Sequence, residues 1–329
     1  MIAENIKIFI KIEYWGKNMK VIRLGKSELK VSALGLGCVD FGSHTNEKTS
    51  FKLMDTYVEN GGNFFDTANC YIFWDGFNGN ESEKTIGKWF DYSGRRKDVI
   101  LATKIGAQPK DNASLSGALL KENTFHAFSN MQGLSRTTVL EAVEKSLENL
   151  RTDYIDLLYL HVDDYSTPLE ETLDGLNELV QKGLVKEIGC SNFRTWRLES
   201  ARNICRQNGY KFFCAVQQKY SYLSPVLDAD FFPQVVADKG LNEYINYYKD
   251  ITMVAHTPLL HGIYGRDGVI DQEEYDTLYN RRKLNKLLEE EEQPASWVLK
   301  HITEQFGGSV VLSTTSNIKH LIENMNYIG

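Results

Sequence analysis

From Val31 onward, short apolar or β-branched runs alternate with longer stretches in which apolar positions recur at helical spacing. The short runs fall at 33–37, 63–67, 99–104, 155–161, 185–190, 214–218, 251–255 and 309–312, and they predict eight strands. The amphipathic stretches predict helices over 47–60, 81–90, 137–150, 169–181, 195–207, 229–248, 280–292 and 319–324. Strands alternating with helices imply βαβ crossovers and a parallel sheet. Eight such units favour an α/β fold of the closed (β/α)8 TIM-barrel type over an open sheet.

Local signals mark several boundaries. Ser135 can cap the helix that follows it, Pro168 with Glu170 and Glu171 opens the next, and Gly183 closes that one as a left-handed residue. The stretch VIRLGKSELKV predicts a β-hairpin that plugs the bottom of the barrel. No linker divides the chain, so 19–329 reads as one domain, with 1–18 as an N-terminal extension and Met19 as an alternative start. The loop 105–134 is too long for a simple connection, which suggests a lid or binding loop on the face where chemistry occurs.

Composition narrows the function classes. The chain has 329 residues, 42% of them apolar, and its 37 basic and 44 acidic residues give a net charge of −7 without long blocks, which disfavours a nucleic-acid partner. Five scattered cysteines without a C-x-x-C pair read as reduced thiols in a cytoplasmic protein, and no histidine motif supports a metal. No run of 18 apolar residues predicts a membrane span. The sequence says nothing of oligomeric state.

Barrel chemistry is assembled at the C-terminal ends of the strands. There the sequence offers Asp66, Lys104, His161, the Ser191–Asn192 pair and Gln217, with Tyr71 just beyond the second barrel strand. Each has an ordinary reading taken alone: Asp66 as a cap, Lys104 as a solvated loop cation, His161 as a core histidine, Tyr71 as a packing aromatic. Together they match the needs of carbonyl reduction. A phenol is protonated near neutrality and can donate to a developing alkoxide. Lys104 is expected to lower the Tyr71 pKa, Asp66 to keep Lys104 charged, and His161 to hold the carbonyl oxygen. A hydride must then come from a nicotinamide cofactor lying across the mouth, whose carboxamide suits the amide and hydroxyl groups of Ser191, Asn192 and Gln217. The G-x-G within GLGCVDFG lacks a third glycine at the required step and does not support a Rossmann site.

The motifs FDTANCY, LATKIG, LRTDYIDLLYLH, IGCSNF, VQQKYSYL and SNIKHLIEN, in this order, resemble those of the aldo-keto reductase superfamily, from near Met19 almost to the C-terminus. The resemblance implies a catalytic tetrad of Asp66, Tyr71, Lys104 and His161, with Tyr71 as general acid. It implies carboxamide binding by Ser191, Asn192 and Gln217, with Asp66 beside the cofactor. AHTPLLHGIYG resembles the family's loop after the seventh strand, so His256, which replaces a usual tyrosine, and Pro258, Leu259 and Gly262 are expected along the cofactor. Ser313, Thr314, Thr315, Lys319, His320 and Asn324 match positions at the adenosine phosphate, and this favours NADP(H) while leaving NAD(H) open. The expected substrate is an aldehyde, ketone or open-chain sugar. Phe73, Trp74, the 105–134 loop and Tyr222 or Tyr264 are expected pocket walls, with ordinary packing as the competing reading.

Relatives usually extend beyond the position of Gly329 with a segment that covers the barrel, and the helix leading into Pro294 looks about one turn shorter than theirs. A cofactor-binding but weakly catalytic regulatory subunit of the same fold is the alternative function, against which the intact tetrad argues.

Overall fold

The structure is a computed structural model that describes residues 19–110, 130–265 and 268–329. The N-terminal extension 1–18 and the central part of the long loop, 111–129, lie outside the described residues. Eight parallel strands close into a barrel: β3 (Leu34–Gly37), β4 (Phe64–Asp66), β5 (Ile100–Ile105), β6 (Ile155–Leu160), β7 (Val185–Ser191), β8 (Ala215–Lys219), β9 (Thr252–His256) and β10 (Val310–Ser313), with β10 pairing to β3. All eight predicted strands are found, within about two residues at each end. β3, β4, β6, β8 and β10 are buried along their whole length. This explains why β3, β6 and β10 read as near-continuous apolar runs rather than as an alternation.

β1 (Val21–Arg23) and β2 (Lys30–Ser32) form the expected hairpin. Its Leu24, Leu29 and Val31 join Phe64, Ala102, Leu157, Tyr159, Ala215, Val254 and Val310 in one buried cluster, so the hairpin closes the barrel floor. Gly25 at its turn has φ +51°, and a β-carbon there would stand 2.2 Å from the Asp250 carbonyl oxygen; only glycine fits. Its N–H donates to Thr252 Oγ1, 2.8 Å away at the start of β9. Burying each large hairpin side chain contributes about 1.5–3 kcal/mol.

Among the described residues nine α-helices surround the barrel: α1 (Glu47–Glu59), α2 (Glu81–Ser93), α3 (Arg136–Leu150), α4 (Leu169–Gln181), α5 (Thr195–Asn208), α6 (Lys239–Tyr248), α7 (Leu278–Glu290), α8 (Pro294–Thr303) and α9 (Ile318–Ile328). Ser135 caps α3 by accepting from the Thr138 N–H, and Gly183 adopts φ +74° after α4, as expected.

Two helical expectations are corrected. The helix predicted over 229–248 begins only at Lys239. Pro233 has no N–H to give a helix, Asp230 turns back to accept from the Phe232 N–H, and Val235 and Ala237 bond to the backbone of Lys219 in extended form. Asp238 then caps α6 through the Leu241 N–H. Conversely, α8 was not anticipated. Its signal was present in Pro294 at the first turn and in Val298, Leu299 and Ile302 on one buried face. α9 also runs four residues beyond the predicted 319–324.

Candidate active site

Parallel register brings the predicted residues to one rim: Gly37 lies opposite Asp66, Lys104 opposite Tyr159, and Ser191 opposite Gln217. After β4 the chain stays bonded to β5, through Thr67 N–H to Ala102 O and Asn69 N–H to Lys104 O. This carries Tyr71 across the mouth, where its own N–H is held by Gly79 O at 2.9 Å. Ile72 follows with φ +61°, a costly conformation for a β-branched residue. Such strain persists where surrounding structure fixes it, and here it turns the chain just beyond the phenol.

Lys104 and Asp66 form an ion pair with both side chains 1% exposed. The Lys104 ammonium also donates to Thr67 O at 2.8 Å and to the Tyr71 hydroxyl at 2.6 Å. Gln217 Nε2 donates to the second Asp66 oxygen at 2.8 Å. Burying two charges costs several kcal/mol per ion unless the geometry compensates, so the pair is weak evidence of stabilisation and stronger evidence of a functional site. Lys104 thus occupies a lone pair of the phenol oxygen, and Tyr71 itself lines the groove above.

The tuning of that phenol differs from expectation. Lys104 was expected to lower the Tyr71 pKa. Instead burial, followed by the Asp66 carboxylate, holds the hydroxyl well above its ordinary value. The phenol is therefore fully protonated at neutral pH, which is the form a proton donor requires.

His161 packs edge-on to Tyr71 with ring centroids 5.9 Å apart, and its Nδ1 lies 3.3 Å from Cys70 Sγ. Burial first, then the Lys104 charge, lowers its pKa well below the usual histidine value, so the ring is neutral. Asn192 sits at φ +60°, donates to His161 O at 2.9 Å and Ser191 Oγ at 3.2 Å, and accepts from the Val235 N–H. Its amide thus supports the loop beneath His161, a role the sequence did not suggest.

A groove of about 2050 Å³ runs over this rim. Tyr71, His161, Ser191, Asn192 and Gln217 line its centre, with Phe73, Trp74 and Tyr264 also on its walls. Along it lie His256, Pro258, Leu259 and Gly262, and at the far end Ser313, Thr314, Thr315, His320 and Asn324. Lys104 lies beneath the floor, fully buried. Lys319 is exposed on the first turn of α9 and does not line the groove. Neither does Tyr222, which packs against Trp297 and His301. Sequence reading missed the entrance, where His44 Nε2 meets Asp75 Oδ2 at 3.0 Å beside Asp40. These three carry no motif, and only the fold brings them together.

Other polar groups have capacity for a ligand. His256 Nδ1 is paired with Thr257 Oγ1 at 3.0 Å, while its buried Nε2 has no partner. Burial lowers this histidine to about 3. Asn324 accepts from the Ser296 hydroxyl at 2.9 Å and donates to Ser313 Oγ at 3.3 Å, tying α8, α9 and β10 together at the far end.

Comparison with known proteins agrees with the barrel. The model of the "Aldo/keto reductase family" matches residues 33–328. The chain is 35% identical over 251 residues to the uncharacterized oxidoreductase YrpG of Bacillus subtilis, covering 75% of this chain and 68% of that one. It is 32% identical over 214 residues to an aryl-alcohol dehydrogenase of Pestalotiopsis microspora, covering 63% of this chain and 51% of the relative. Among solved structures, the holo form of the aldo-keto reductase AKR11C1 from Bacillus halodurans superposes with a TM-score of 0.70 at 27% identity, covering 94% of this chain and 91% of that one. The chain belongs to the aldo/keto reductase family.

Proposed function

We propose that this protein is a nicotinamide-nucleotide-dependent oxidoreductase that reversibly reduces a small carbonyl compound to an alcohol. The observation that carries the reading is the Lys104 ammonium, ion-paired with Asp66 and 2.6 Å from the Tyr71 hydroxyl, with neutral His161 alongside. Bound in the groove, the reduced nicotinamide supplies the hydride. Tyr71 donates its proton to the carbonyl oxygen as that oxygen gains charge. Lys104 stabilises the phenolate left behind, and Asp66 holds Lys104 in place. His161 orients the carbonyl oxygen by a hydrogen bond from its ring, which as a neutral imidazole keeps one N–H to give.

The groove's own groups suit a dinucleotide. Ser191 and Gln217 offer a hydroxyl and an amide at the centre for a carboxamide, and His256 turns an unpartnered Nε2 within the walls. At the far end the first turn of α9 offers backbone N–H groups to a phosphate, with Thr314, Thr315 and His320 beside it. NADP(H) is the nucleotide proposed, with NAD(H) as the competitor to measure against it.

Phe73 and Trp74, 5.1 Å apart edge to face, give the entrance an aromatic wall. Together with the aryl-alcohol dehydrogenase relative, this wall makes aryl aldehydes the first substrates to test, followed by aliphatic aldehydes, ketones and open-chain sugars. Fluorescence titration with NADPH and NADH, followed by nucleotide oxidation against that panel, tests the reading. The expected result is binding of at least one nucleotide and carbonyl-dependent oxidation. Binding without turnover on any carbonyl would favour the regulatory-subunit reading instead.

A further inference from the structure

Beside the proposed proton donor, Cys70 is 1% exposed, and its sulfur faces a ring nitrogen rather than apolar side chains alone. The small cluster around it contains Ala68, Phe73 and Ala107, with Tyr71 and Trp74 packed against it. Cys70 Sγ stands 3.3 Å from His161 Nδ1. A neutral imidazole carries a proton on one nitrogen only, and the contact can be made in two ways. In one, Nδ1–H points at sulfur, a weak acceptor, and leaves Nε2 a bare lone pair. In the other, the thiol donates to Nδ1, a strong acceptor, and Nε2 carries the proton.

We propose that Cys70 is a positioning residue: its thiol donates to His161 Nδ1 and fixes the tautomer whose Nε2–H is presented to the substrate oxygen. The inference rests on the role given above to His161. Both groups keep the charge state it needs, since burial pushes the Cys70 thiol up to about 12 and lowers His161. A second support comes from the backbone, because Asn192 fixes the His161 carbonyl and the β6 ladder fixes its N–H to Ile105 O at 2.9 Å. With the backbone held at both ends and Nδ1 turned to Cys70, Nε2 is the ring nitrogen left for the groove that His161 lines. At metal-bound histidines, partners that fix the tautomer are commonly worth about 10–100-fold in metal affinity or activity, and the lower end of that range is the scale expected here.

The direct test is 15N NMR of imidazole-labelled protein at neutral pH, with His161 assigned by difference from His161→Asn. The expected spectrum has Nδ1 in the unprotonated range and Nε2 in the protonated range; a protonated Nδ1 in the wild type overturns the proposal. Cys70→Val, which fills similar space without a donor, is expected to mix the tautomers and lower kcat by about tenfold. Cys70→Ser restores a donor and is expected to keep both the spectrum and most of kcat. A Val variant with wild-type kcat, or a Ser variant as impaired as Val, overturns the positioning role. Should the Val variant fail to fold, the wild-type spectrum and the Ser variant still decide. Wild-type kcat in a His161→Asn variant would instead sink the parent reading of His161.

Discussion

Two buried carboxylates sit at opposite ends of this barrel, each beside cations, and the groups around them are finished differently. Asp156, near the start of β6, accepts from Arg96 Nη2 at 2.9 Å, Lys186 Nζ at 2.8 Å and the Leu101 N–H at 3.0 Å. Arg96 spends its other N–H groups on Thr152 Oγ1, Val99 O and Tyr154 O, and both cations lie over the Tyr154 ring, 4.0 and 3.9 Å from its centroid. Both oxygens of Asp156 and most of the Arg96 donors are answered within that network, as a structural network needs to reach low energy. At the mouth, Asp66 and Lys104 are more deeply buried, yet their network reaches the Tyr71 hydroxyl, which lines a groove beside the neutral imidazole of His161. The difference lies in what is left over. The floor is tied into the wall, and the mouth presents a phenol and an imidazole to a groove.

Breaking the ion pair at each end should separate the two roles, with the largest effect at the mouth. Lys104→Met leaves Asp66 buried without its counter-ion, at a cost of about 3–5 kcal/mol in denaturant melts. It also removes the support of the phenolate, so the fraction that folds should lose about 10²–10⁴ in kcat. Asp156→Asn should cost about 3 kcal/mol, because Lys186 is half exposed and can turn to water. Its kcat per folded molecule should stay within about twofold of wild type, since the site is remote. A large kcat loss in Asp156→Asn would blur the distinction drawn here.

A smaller effect appears on acidification. His256 is held at about 3 in the fold but titrates near about 6.5 when unfolded. Below the unfolded value the unfolded chain binds a proton that the native chain refuses, so native stability falls as pH drops from about 6.5 toward the folded value. Replacing His256 with Asn should make the decline shallower by up to about 1.4 kcal/mol per pH unit between pH 6 and 4. Urea midpoints measured across that range check this, and parallel curves for the two proteins would contradict it.

Much of the mouth was legible in the chain because each strand delivers its site residue at a fixed end. Asp66, Lys104 and Ser191 are strand-terminal by counting alone, and the short span from Asp66 to Tyr71 matches one crossing of the rim. The tuning of Tyr71 was not legible, since the dominant effect is burial, followed by the Asp66 carboxylate, and depth is something sequence spacing does not encode. The extended stretch before Lys239 was missed because its backbone partner, Lys219, is distant in sequence from most of it and tertiary pairing overrode an apolar pattern. The roles of Asn192 and Cys70 stayed hidden for a related reason. Asn192 lines the groove as expected of a ligand-binding residue, and its hydrogen bonds to His161, Ser191 and Val235 are set by the fold alone.

The central claim is that the hydroxyl proton of Tyr71 is the one transferred. Tyr71→Phe removes one oxygen atom and keeps the ring, and the measurement that decides is its kcat at saturating reduced nucleotide, with nucleotide affinity measured on the same sample. The account predicts a fall in kcat of about 10²–10⁴ with affinity and melting behaviour nearly unchanged. A variant that reduces its carbonyl substrate at the wild-type rate would contradict it.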